Sequence, residues 1–113
     1  MACIFCQIAS HERGAQIVYE DDQVVAFHDV NPMAPVHILI ISREHITGPV
    51  DIDDENAELA GKLLVAAAKI ARQEGFAEDG YRLVLNQGRN GGQSVFHVHL
   101  HVLAGRRLQW PPG

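Results

Sequence analysis

Residues 97–101 read His-Val-His-Leu-His, so His97, His99 and His101 are separated by single apolar residues. On an extended strand successive side chains point to opposite faces. The three imidazoles then share one face, about 7 Å apart, while Val98, Leu100 and Val102 anchor the other face on a core. A neutral imidazole has a lone pair on one nitrogen and a proton on the other. A carbonyl or a second histidine that takes the proton fixes the tautomer and leaves the free nitrogen as a nucleophile. Such a ring can form a covalent phosphohistidine-type intermediate, and His99, in the middle, is flanked on both sides by groups that could hold it. Two other readings are a sheet surface that carries histidines and a plain metal site, though zinc usually gathers its ligands from several elements.

The segment just before the strand suits the same chemistry. Gly91-Gly92-Gln93-Ser94 can bring backbone N–H groups close to a phosphate because glycine lacks the Cβ that would block approach. The formal net charge is −5. That gives no general attraction to nucleic acid or to an anionic membrane, so any phosphate must be held locally.

The elements that must position these residues follow from the pattern. The 113 residues are expected to form one domain, 1–113, and the 47% hydrophobic and 20% charged content is that of an ordinary globular chain. Ile17–Glu20, Val24–Phe27, Val36–Ile41, Tyr81–Leu85 and Val95–Leu103 read as strands, with Asp21-Asp22 and Asp79-Gly80 as turns and Asn31–Pro35 as a breaker. Asp51 to Glu55 reads as an acidic helix start. Leu59, Leu63, Ala66, Ala67, Ile70 and Ala71 continue it at helical spacing, and Gly75 fits a left-handed cap. The expected class is α+β on a mostly antiparallel sheet. Met1-Ala2-Cys3 does not begin a basic-then-apolar leader, and no apolar run approaches the roughly 20 residues of a membrane helix. The expected setting is cytoplasmic, with no nucleic acid or membrane partner.

Phe27-His28-Asp29-Val30, Pro32-Met33-Ala34-Pro35-Val36-His37, Tyr81 to Asn86, and the stretch from Gly91 through the triad to Trp110-Pro111-Pro112-Gly113 resemble the histidine triad (HIT) family, in its nucleotide-binding branch. The resemblance implies the HIT-like fold, with about five strands, one long helix and a short one. It implies a purine nucleoside phosphoramidase and adenylate hydrolase that cleaves P–N and acyl-AMP bonds through a nucleotidyl-histidine. On that template His99 is the nucleophile, with His97, His101 and His37 as its supporting relay. Ser94 stands near the departing amine. Asn86, Gly92, Gln93, Ser94 and Val95 meet the phosphate, Asp29 the ribose hydroxyls, and Ile4, Phe5, Ile8, Phe27, Val30 and Leu39 the base. It also implies a homodimer in which Trp110 reaches the partner's site. No cofactor is required for the chemistry. Alternative functions are a dinucleoside polyphosphate hydrolase of the same family and a non-catalytic nucleotide-binding or interaction module.

Cys3 and Cys6 form Cys-x-x-Cys. Family members with this pair carry zinc, and the resemblance makes His45 and His97 the other two ligands of a structural site. The competing reading is two reduced thiols. A redox pair lacks the expected strand-then-helix context, and a disulfide is disfavoured in a cytosolic chain. His11 and His28 receive no role.

Overall fold

The computed structural model describes residues 3–113; Met1-Ala2, read above for a leader, lie outside the described residues. The elements run α1 (Ile4–Ala9), β1 (Ile17–Glu20), β2 (Val24–His28), β3 (Val36–Ser42), a 3-10 turn (Pro49–Asp51), α2 (Ala57–Glu74), β4 (Arg82–Leu85) and β5 (His99–Ala104). The strands form one sheet in the order β1-β2-β3-β5-β4, and every neighbouring pair is antiparallel. This is the α+β class read from the sequence, with one long helix and one short one.

Alternation along the strands divides the core into two layers. Val24, Ala26, Ile38, Ile40, Leu100 and Val102 face α2, which returns Leu63, Ala66, Ala67 and Ile70. Each fully buried Leu or Ile here contributes about 1.5–3 kcal/mol. Val25, Phe27, Leu39 and Ile41 face the other way and meet Phe5, Ile8 and Ala9 of α1. The cross-strand partners of Leu39 and Ile41 on β5 are His101 and His99. The second layer therefore gives way from apolar core to imidazoles as it crosses from β2 to β5.

Two boundaries differ from the sequence reading. α2 begins at Ala57, not among the acids at 51–55. Asp53 is spent on its own turn, where its Oδ1 accepts from the amides of Glu55 and Asn56. Short acidic side chains bond nearby backbone in this way and so favour turns over helix interiors. Gly75 closes the helix at φ 82°, as read. The strand expected over Val95–Leu103 begins only at His99 and runs to Ala104. The register that pairs Ile41 with His99 would next pair Ser42 with Val98. Instead the Ser42 carbonyl accepts from the His97 ring at 2.7 Å, and the Val98 amide donates to Ile46 O at 2.6 Å. The His97 imidazole has replaced a rung of the ladder.

Candidate active site and metal cluster

His99 leads β5, is 5% exposed, and lines a cleft of about 930 Å³ on the α1 side of the sheet. Its Nδ1–H donates to the carbonyl of His97 at 2.7 Å. The proton is thus on Nδ1, and the Nε2 lone pair is left for the cleft. Phe5 stands edge-on to this ring with centroids 5.1 Å apart and also touches His97 and Phe27 edge-on, so α1 fixes the imidazole's plane.

A second chain of bonds sets His101. The Met33 amide donates to His37 Nδ1 at 3.0 Å, which leaves the His37 proton on Nε2. That Nε2–H points to His101 Nδ1 at 2.9 Å, with an Asp29 carboxylate oxygen 3.4 Å away. His101 Nδ1 is then an acceptor, and its own proton sits on Nε2 as a donor beside His99, whose ring is 5.0 Å distant. Burial holds His101 neutral, down to about 4 from the ordinary 6.5, with His99 and His37 adding to the effect and Asp29 opposing it. Burial also lowers His37, against the pull of Asp29.

The loop before β5 is organised by its own side chains. Gln93 is buried; its Nε2 donates to Thr47 O and Val95 O, and its Oε1 accepts from the Gly88 amide. A Cβ on Gly91 would lie 2.6 Å from Gln87 O, so only glycine allows the chain to double back there, and Gly92 takes φ 77°. Among the described residues the amides of Ser94 and Val95 have no hydrogen-bond partner, and both residues line the cleft. They form a small concavity of donors suited to an anion.

Of the sequence candidates, Ile4, Phe5, Ile8, Phe27, Asp29, Val30, Leu39, Ser94, Val95, His99 and His101 line this cleft together. His37 supports it from behind. Asn86, Gly92, Gln93 and Trp110 are not among the lining residues, and Trp110 is 81% exposed. The expectation for His97 needs correction: its imidazole faces away from the relay, and it serves His99 through its backbone carbonyl. Sequence reasoning also missed Arg13, Gly14, Ala15, Gln16 and His28, which line the far end of the cleft. Met33 and Ser42 escaped notice because they act through backbone atoms that any residue supplies. His11 pairs with Glu20 on the surface.

The His97 ring lies in a separate cluster. With its Nε2–H on Ser42 O, its Nδ1 lone pair faces Cys3 Sγ at 3.4 Å and Cys6 Sγ at 3.6 Å. Cys6 Sγ is 3.3 Å from His45 Nδ1, and the four ligand atoms lie within 4.8 Å of one another. Zinc bond lengths in a tetrahedron put sulfur and nitrogen about 3.6 Å apart, so the residues fit a Cys₂His₂ structural site. Partial burial raises the Cys6 thiol, and Cys3 adds to it; a bound divalent cation would supply the opposing charge. Asp29, His37 and His101 are equally close together. They do not fit a cation, because both His37 nitrogens and His101 Nδ1 are committed to the chain of bonds above.

The HIT domain profile matches residues 10–108. The chain belongs to the histidine triad family. Within it the chain falls in the nucleotide-binding branch. A purine nucleoside phosphoramidase of Escherichia coli K12 is 50% identical over 105 residues, covering 93% of this chain and 88% of that one. A 14 kDa zinc-binding protein of Zea mays is 48% identical over 112 residues, covering 97% and 87%. The crystal structure of a HIT family hydrolase from Legionella pneumophila superposes with TM-score 0.96 at 48% identity, covering 99% of this chain and all of that one. In this HIT chain no described helix is long and apolar enough to cross a membrane.

Proposed function

We propose that the chain works as a single HIT domain that hydrolyses purine nucleoside phosphoramidates and acyl-adenylates through a nucleotidyl intermediate on His99. The observation that carries this reading is the 2.7 Å bond from His99 Nδ1–H to the His97 carbonyl, which leaves Nε2 as a lone pair in the cleft. The E. coli relative named for this activity supports it.

In this account the phosphate sits against the amides of Ser94 and Val95 and the Nε2–H of His101. Asp29 accepts from the ribose hydroxyls; its Oδ1 also takes the Asn31 amide, which fixes the carboxylate. The base lies between Phe5, Ile8, Phe27 and Leu39. His99 Nε2 bonds to phosphorus as the P–N bond breaks, and the Ser94 hydroxyl donates toward the departing nitrogen. Water then cleaves the P–N bond to His99 and returns the free ring. Gln93 contributes by holding the loop rather than by touching phosphate.

A structural zinc on Cys3, Cys6, His45 and His97 would fasten α1 to the sheet, and so one wall of the cleft. A homodimer is supported by the unpaired edge of β4 and by the exposure of Leu64, Val65, Leu85 and Phe96. In that dimer Trp110 is free to reach the partner's cleft. The acidic charge favours neither nucleic acid nor membrane as partner, and the unpaired cysteines suit a cytoplasmic setting.

The test is turnover of adenosine 5′-phosphoramidate by wild type and His99→Ala. Loss of the covalent path should cost at least about 10³-fold in kcat/KM. Equal rates would overturn the assignment of His99.

A further inference from the structure

The far end of the cleft carries a charge that the chemistry at His99 does not use. The floor crosses the sheet through paired residues: His101 opposite Leu39, Leu39 opposite Phe27, and Phe27 opposite Ile17. Three strand spacings put β1 about 14 Å from β5. The segment leading into β1 closes this end with Arg13 and Gln16. It is pinned at both sides, since the Arg13 amide donates to Gln7 O of α1 and Gln16 O accepts from the His28 amide of β2.

Among the described residues Arg13 is the one permanent cation lining the cleft. Its neighbour in sequence, Glu12, takes the Ser10 hydroxyl, and Glu20 takes Arg43 and His11; Asp29, the acid that lines the cleft, takes the Asn31 amide and lies 3.4 Å from His37 Nε2. Among the described residues the Arg13 guanidinium has no hydrogen-bond or ion-pair partner. A nucleotide with its phosphate at His99 and Ser94 has no second anion to offer at the β1 end. It offers the edge of its base.

We infer that Arg13 reads that edge and makes the site selective for a 6-oxopurine. This rests on the nucleotide reading above. A guanidinium is a fork of donors and matches the adjacent O6 and N7 acceptors of guanine, whereas adenine presents N7 beside an N6 donor. Arg13 is exposed, so water screens the contact, and the preference belongs at the low end for a bidentate base contact.

The test is calorimetric titration of the full chain with GMP, IMP and AMP. Wild type should bind GMP and IMP about 5-fold more tightly than AMP. In Arg13→Met, which keeps an apolar stem and removes the donors, the three affinities should agree within about 2-fold. Equal affinity of wild type for all three would overturn the inference and leave the nucleotide reading standing. So would a GMP preference that survives in Arg13→Met, or an IMP that behaves like AMP. Binding of none of the three would overturn the nucleotide reading and this inference with it.

Discussion

Acid should weaken this fold through His101 in particular. The ring titrates at about 4 in the folded chain against an ordinary 6.5, chiefly because burial disfavours its charged form. The unfolded chain therefore takes up this proton first as the pH falls. The stabilisation is fully present above 6.5, is lost progressively between 6.5 and about 4, and changes no further once both states are protonated. At 1.36 kcal/mol per unit the full shift corresponds to about 3 kcal/mol. The ring is partly exposed, and water screening reduces this to about 1.5 kcal/mol. The perturbation is His101→Gln, which keeps an acceptor for His37 Nε2–H and removes the titrating group. Urea unfolding of both proteins at about pH 7 and about pH 4.5, with chelator throughout to equalise the cysteine cluster, reads the difference. Wild type should lose about 1 kcal/mol more than the variant between the two conditions, since part of the loss falls below pH 4.5. Parallel losses would refute the claim that burial holds the His101 ring neutral.

Three further outcomes follow from particular contacts. Purified protein should carry about one equivalent of zinc and Cys6→Ser close to none, by elemental analysis; less than about a tenth of an equivalent in wild type would dismiss the metal reading. Gly105 has φ +94°, and a Cβ there would lie 2.7 Å from that of Pro35. Gly105→Ala should cost about 1–3 kcal/mol by thermal unfolding, whereas Gly14→Ala, with nothing within 4 Å, should stay within about 0.5 kcal/mol. Sedimentation should find a dimer, with Leu85→Lys shifted to monomer; a monomeric wild type would remove the β4-edge interface.

Much of the scaffold was legible because its patterns are strong. The apolar runs at Val24–Phe27 and Val36–Ile41 and the 3.6-residue stripe of Leu63, Ala66, Ala67 and Ile70 each allow one packing solution. The alternation of His99 and His101 with Leu100 and Val102 told which face carries those two imidazoles, but it did not extend to His97. The start of β5 was not legible, because a histidine ring that takes over a ladder carbonyl leaves no trace in hydrophobic periodicity. The start of α2 was misread because Asp53 chose its own turn over the helix. Gln93 resembled a ligand contact, yet its amide is consumed by Gly88, Val95 and Thr47. Arg13 carried no motif at all; only the order of the strands brings it to the end of the cleft opposite His99.

The most direct measurement is mass spectrometry of the protein mixed with adenosine 5′-phosphoramidate and quenched under conditions that preserve phosphohistidine. An added AMP should be found localised to His99, absent from His99→Ala and present in His101→Gln. Steady turnover with no adduct at His99, or an adduct on another residue, would contradict a nucleophile held by the His97 carbonyl.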